Sequence, residues 1–145
     1  MPYLRDTACR LAKSAIGIPY IWGGNRPAEG LDCSGFVIWV LQVTGALGPD
    51  DFTAQSLFRT FIADSPGFPI NPLHGNLAFY GERSGQIEHV MLTLGGGEVI
   101  GACGGSRKCL TREFALNIGA KVQKKYLQYR SDLVAVFPVH YPDEE

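Results

Sequence analysis

The chain has few of the residues that build metal and nucleotide sites. Three histidines are scattered over 145 residues, and no two of the four cysteines stand two to four residues apart. That spacing excludes the usual zinc patterns. The glycine-rich stretches lack the lysine and helix that follow a phosphate-binding loop, so no cofactor is expected. Neither charge is in excess, with 13 Lys and Arg against 14 Asp and Glu. Without a basic stripe there is no electrostatic ground for a nucleic-acid partner. The small basic cluster Lys121, Lys124 and Lys125 reads as a solvated helix or loop face. No apolar run approaches the roughly 20 residues that span a bilayer. The N-terminal stretch MPYLRDTACRLAKSAIG is broken by Arg5, Asp6, Arg10 and Lys13. A secretory signal needs an uninterrupted apolar core, so none is expected here.

Repeats, linkers and low-complexity segments are also missing. A length of 145 residues then predicts one domain, 1–145. A domain of that size buries about 70% of its unfolded surface and needs no disulfide staples. Cys103 and Cys109 remain close enough in sequence to close a short loop in an oxidising compartment. Cys9 reads as a small buried hydrophobe.

Along the chain, Leu4, Cys9, Leu11, Ala12, Ala15 and Ile16 form a loose helical face that Gly17 and Pro19 end. IPYIWGGNRPAEGL reads as a loop. DCSGFVIWVLQVTGAL reads as a helix buried on most of its surface, capped by Asp32 and stopped at Gly45 or Gly48. A third helix is expected near Thr53–Ile62, and SPGFPINPLHG is turn-rich. NLAFY, EHVMLTL and EVIGA read as adjacent antiparallel strands, the last two joined through GGG as a hairpin. LVAVFPV is a closing strand. The stretch from Cys109 to Arg130 has no clear period. Helices followed by strands predict an α+β fold with helices packed on one face of an antiparallel sheet.

The strongest chemical signal is GLDCSGF. Cys33 sits in the first turn of an apolar helix, directly after the capping Asp32. Free backbone N–H groups and about half a positive charge gather at such a terminus. They favour a thiolate and can hold an oxyanion. The Asp32 charge opposes the first effect. Gly35 lets another element approach the first turn. A cysteine nucleophile needs an imidazole partner. His89 opens an alternating strand, whereas His74 and His140 sit in turn and tail contexts and read as structural.

PYIWGG followed by GLDCSGFV resembles the NlpC-type cell-wall peptidase family, whose members are papain-like cysteine peptidases. HGNLAFY and EHVMLTLGGGEVIGA resemble its next two blocks, in the same order, from about Ala8 to Gly105. The resemblance implies Cys33 as nucleophile and His89 as base. Tyr20, Trp22, Asp32 and Ser34 fall at substrate or oxyanion positions, and aromatic packing is the equal alternative for Tyr20. The implied activity is hydrolysis of an amide bond in the peptidoglycan stem peptide, without metal. Two departures stand out. Gly101 occupies the position of the family's third, imidazole-orienting residue. Asn76 replaces a family Asp. Orientation is then left to a backbone carbonyl, a water or a neighbour such as Ser106.

The leading expectation is a peptidoglycan hydrolase acting in the cell wall or periplasm. It would be phage-delivered, lysis-released or otherwise exported, and phage tail proteins are expected partners. Two alternatives stand beside it. One is an acyltransferase or transpeptidase on the same fold. The other is a non-catalytic wall-binding or tail-assembly protein, favoured by Gly101.

Overall fold

The computed structural model describes residues 3–50, 52–64, 73–82 and 86–144. The elements run α1 (Leu4–Ser14), β1 (Asn25–Arg26), β2 (Gly30–Leu31), α2 (Cys33–Val43), α3 (Ala54–Asp64), β3 (Leu77–Gly81), β4 (Ile87–Gly95), β5 (Glu98–Cys103), α4 (Arg112–Ile118), β6 (Lys121–Tyr126) and β7 (Leu133–Phe137). Five strands form one antiparallel sheet in the order β6-β5-β4-β3-β7, and β1 with β2 makes a two-residue ribbon.

The hairpin between β4 and β5 turns through Gly95, Gly96 and Gly97, all at positive φ, where a side chain would be strained. Alternation along each strand divides the core between the two faces of the sheet. Phe79, Val90, Leu92, Ile100 and Phe137 meet Ala8 and Ala12 of α1, Phe36, Val37, Val40 and Leu41 of α2, and Leu57 and Phe58 of α3. Ala78, Tyr80, Met91, Val99, Cys103 and Val136 form a smaller cluster on the opposite face, closed by Leu127. Phe58 locks α3 to the sheet through edge-on contacts with Phe79 and Phe137, at centroid distances of 5.2 and 5.4 Å. Such contacts add about 0.5–1.5 kcal/mol each beyond area burial.

Arg5 ties the chain ends together. It pairs with Glu144 at 2.8 Å and donates to the His74 carbonyl, the Asn76 side chain and the Val139 carbonyl. Asn76 Oδ1 also accepts from Val139 N–H at 3.0 Å, so the residue replacing the family Asp fastens β3 to the C-terminal segment.

Several expectations are corrected. The basic cluster lies on strand β6, where Lys121 and Lys124 point to solvent and Val122 inward; it is neither a helix nor a loop. Ile16 lies beyond the end of α1 and is 47% exposed, because the helix stops at Ser14 with Ala15 as cap. The aperiodic stretch after Cys109 holds α4 and β6. Cys103 and Cys109 are both free thiols: Cys103 packs in the small cluster, and Cys109 donates to the Tyr20 carbonyl at 3.1 Å. Most of the turn-rich stretch SPGFPINPLHG lies outside the described residues.

Candidate active site

The N-terminus of α2 enters the sheet where two strands part. β4 is paired with β5 only from Leu92–Ile100 outward to the hairpin, while its first half pairs with β3 alone. The backbone of that first half is therefore open to α2. The Cys33 sulfur lies against the N–H of Val90, the residue after His89, and against the N–H groups of Cys33 and Ser34 at the helix tip.

Asp32 holds this terminus. Its Oδ1 accepts from Gly35 N–H at 2.8 Å and from the Ser34 hydroxyl at 3.2 Å, and its Oδ2 accepts from Gly23 N–H at 3.0 Å. The loop before α2 crosses the helix tip closely. A Cβ on Gly35 would run into the Gly24 carbonyl oxygen, which is why the third helical residue has no side chain. The same loop is stitched to the connection between β5 and β6 by Tyr20 N–H to the Ala120 carbonyl and by Trp22 N–H to the Cys109 carbonyl.

A cleft of about 880 Å³ opens beside Cys33. It is lined by Tyr20, Trp22, Asp32, Cys33, Ser34 and His89 together. All six of the sequence-derived candidates thus converge. Tyr20 is buried, with its phenol raised in pKa by burial and by the Cys33 and Asp32 charges. Trp22 is half-exposed at the rim, with the Arg107 guanidinium 5.9 Å from its ring centre. Arg107 and Ser106 also line the cleft.

His89 is buried on β4. Its Nε2 is hydrogen-bonded to the Tyr129 hydroxyl at 2.8 Å. The Tyr80 and Tyr129 rings flank it, at centroid distances of 5.5 and 6.3 Å. Gly101 contributes nothing to the imidazole. A Cβ there would come within 2.5 Å of Met91 Sδ, so the family's third position is filled by a neighbouring side chain. Ser106 hydrogen-bonds within its own turn, to the backbone of Lys108 and Cys109. His74 pairs with Asp6 at 2.7 Å, far from the cleft in role, and His140 is exposed.

Electrostatics at the site depart from the expectation of a resting thiolate. Burial, reinforced by Asp32, pushes the Cys33 thiol up to about 12, against the opposing pull of the Val90, Ser34 and Cys33 N–H groups. Burial, reinforced by Arg130, pulls His89 down to about 3. Both shifts favour a neutral thiol and a neutral imidazole in the open site. The helix-tip N–H groups are present as the sequence predicts, but desolvation outweighs them.

Tyr129 is the residue that sequence reading missed. It lies in the turn after β6, a segment with no hydrophobic period, and nothing in its spacing from His89 announces the contact. Among the described residues no group of three or more His, Cys, Asp or Glu side chains is arranged to hold a metal ion. Among the same residues no helix is long and apolar enough to cross a membrane.

The NlpC/P60 family profile matches residues 17–131, which contain the whole cleft apparatus from Tyr20 to Tyr129. Protein P54 of Enterococcus faecium is 42% identical over 88 residues, covering 60% of this chain and 16% of that protein. Peptidoglycan endopeptidase RipB of Mycobacterium tuberculosis is 34% identical over 111 residues, covering 68% of this chain and 43% of RipB. The chain thus spans less than half the length of either curated relative. The RipB crystal structure superposes with a TM-score of 0.71 at 25% identity, over 95% of this chain and 66% of that one. The NlpC/p60 domain of the peptidoglycan hydrolase SagA gives 0.64 at 28% identity, over 92% of this chain and 97% of that domain. A half-buried cysteine at a helix tip, a histidine on the adjoining strand and an α+β papain-like frame all fall inside the matched region: this chain belongs to the NlpC/P60 family.

Proposed function

We propose that the chain is a cysteine peptidase that hydrolyses an amide bond of the peptidoglycan stem peptide, with Cys33 as nucleophile and His89 as general base. One observation carries the reading: Cys33 at the tip of α2 and His89 on β4 line a single cleft, with the Val90 N–H against the sulfur. The names of RipB, a peptidoglycan endopeptidase, and SagA, a peptidoglycan hydrolase, supply the substrate class.

The chemistry starts from the neutral pair. The Cys33 proton passes to His89 as the sulfur attacks the carbonyl carbon, so charge separates only in the transition state. The N–H groups at the α2 terminus face the developing oxyanion. Collapse breaks the C–N bond, and the imidazolium returns its proton to the departing amine. Water then attacks the thioester, giving up a proton to His89. Collapse breaks the C–S bond, the sulfur takes the proton back from the imidazolium, and the product leaves as the carboxylic acid, which ionises in solvent. Because the site is desolvated, its fixed dipoles count for more than they would in water.

Purified peptidoglycan incubated with the protein should release fragments with new amino termini, read by mass spectrometry. Cys33→Ala and His89→Ala should each abolish release while the far-UV spectrum is kept. Incorporation of an added amine in place of water would identify an acyltransferase instead. Binding without release by the unaltered protein would identify a non-catalytic wall-binding domain.

A further inference from the structure

The position that orients the imidazole by resemblance is a glycine, yet His89 is held. The holding group comes from the opposite end of the sheet. After β6 the chain turns back over the small cluster, with Leu127 N–H donating to the Gly97 carbonyl at 2.7 Å and Tyr129 N–H to the Tyr126 carbonyl at 3.0 Å. This turn carries Tyr129 across the strands to His89. The Tyr129 ring is fixed from two other sides. It packs edge-on against Tyr80 at 5.7 Å, and the Lys125 ammonium lies 5.7 Å from its centre. Tyr80 is itself anchored by its hydroxyl, which donates to the Leu127 carbonyl at 2.7 Å.

We propose that Tyr129 is the positioning residue for His89: its phenol oxygen accepts the Nε2–H, which leaves the Nδ1 lone pair facing the cleft. The proposal rests on the catalytic reading of Cys33 and His89 above. Three observations carry it. The 2.8 Å contact is to Nε2, and among the described residues no hydrogen bond engages Nδ1. Gly101 has no side chain, and Met91 fills the space one would need. The Cys103 sulfur lies beside Tyr129 and lines the same cleft, so it is available to the phenolic hydrogen. Tyr129 can therefore accept from the imidazole while donating elsewhere. Of the two neutral tautomers, only the one protonated on Nε2 can take a proton through Nδ1. A phenol does this without the charge that a carboxylate would bring to a buried site beside Arg130 and Asp132.

The test is the tautomer of His89, read by long-range 1H–15N correlation on histidine-labelled protein at neutral pH, together with turnover of soluble stem-peptide fragments. Only three histidines are present, and His89→Gln assigns the signal. The unaltered protein should show a protonated Nε2 and an unprotonated Nδ1. Tyr129→Phe keeps the ring contacts and removes only the oxygen. It should shift His89 toward a mixture of tautomers and lower kcat by about 10–100-fold with KM little changed, the usual cost of losing an orienting partner. A His89 protonated on Nδ1 in the unaltered protein overturns the proposal even if the variant does not fold. So does a Tyr129→Phe protein with an unchanged tautomer, whatever its rate, or one with a shifted tautomer and kcat within twofold. An absence of turnover by the unaltered protein counts against the proposed function instead, and the tautomer measurement still decides the role of Tyr129.

Discussion

A neutral resting thiol makes Cys33 slow to alkylate, and the amount can be worked out. With its pKa pushed up to about 12, Cys33 at pH 7 is thiolate in only about one molecule in 10⁵. A free cysteine near pKa 8.5 is thiolate at about 3%, so the populations differ by about 3,000-fold. The more basic thiolate is the better nucleophile, and a Brønsted slope of about 0.4–0.5 returns roughly 25–50-fold of that. The net expectation is iodoacetamide labelling about 100-fold slower than free cysteine at pH 7. The rate should then climb about tenfold per pH unit with no plateau below about pH 11. Peptide mapping by mass spectrometry separates Cys33 from the buried Cys9, Cys103 and Cys109, and the Cys33→Ala protein is the blank. Asp32→Asn keeps an oxygen for the Gly35 cap but removes the charge that raises the thiol, so it should label faster than the unaltered protein. A pH-independent plateau between pH 4 and 8, at or above the free-cysteine rate, would refute the reasoning. It would mean that a thiolate–imidazolium pair is already formed in the open site.

Two further outcomes follow from the packing. Arg5→Ala strands the acceptors on Asn76, His74 and Val139 and frees Glu144, at a cost of about 2–4 kcal/mol for a partly buried charged network. Thermal unfolding should then move down by roughly 5–15 °C for a domain of this size, with the cleft chemistry unaffected. Gly101→His, which restores the family's residue type, should fail to raise activity. Its Cβ meets Met91 Sδ, and overpacking of this kind costs about 1–3 kcal/mol, readable as a lowered urea midpoint.

Much of this architecture is legible in the residue order, for identifiable reasons. α2 shows itself because an unbroken apolar run follows a capping Asp, and the β4–β5 hairpin because three glycines separate two apolar strands. α4 does not, because it turns its apolar side chains outward: Phe114, Leu116 and Ile118 are 40%, 74% and 50% exposed, and only Ala115 is buried. β6 is masked by its lysines, with Val122 its one buried side chain. The convergence of Tyr20, Trp22, Asp32, Cys33, Ser34 and His89 was readable from motif order. The Tyr129 contact was not, since it depends on where a turn crosses the sheet. Nor was the neutral state of the Cys33–His89 pair. A helix tip is visible in sequence, whereas the desolvation that opposes it depends on tertiary packing around the sulfur.

The most direct test of the central claim is the digestion of purified peptidoglycan by the unaltered protein beside Cys33→Ala, with the released fragments sequenced by mass spectrometry. The account predicts new amino termini within the stem peptide from the first and none from the second, at matched folding. Equal release from both proteins would contradict it.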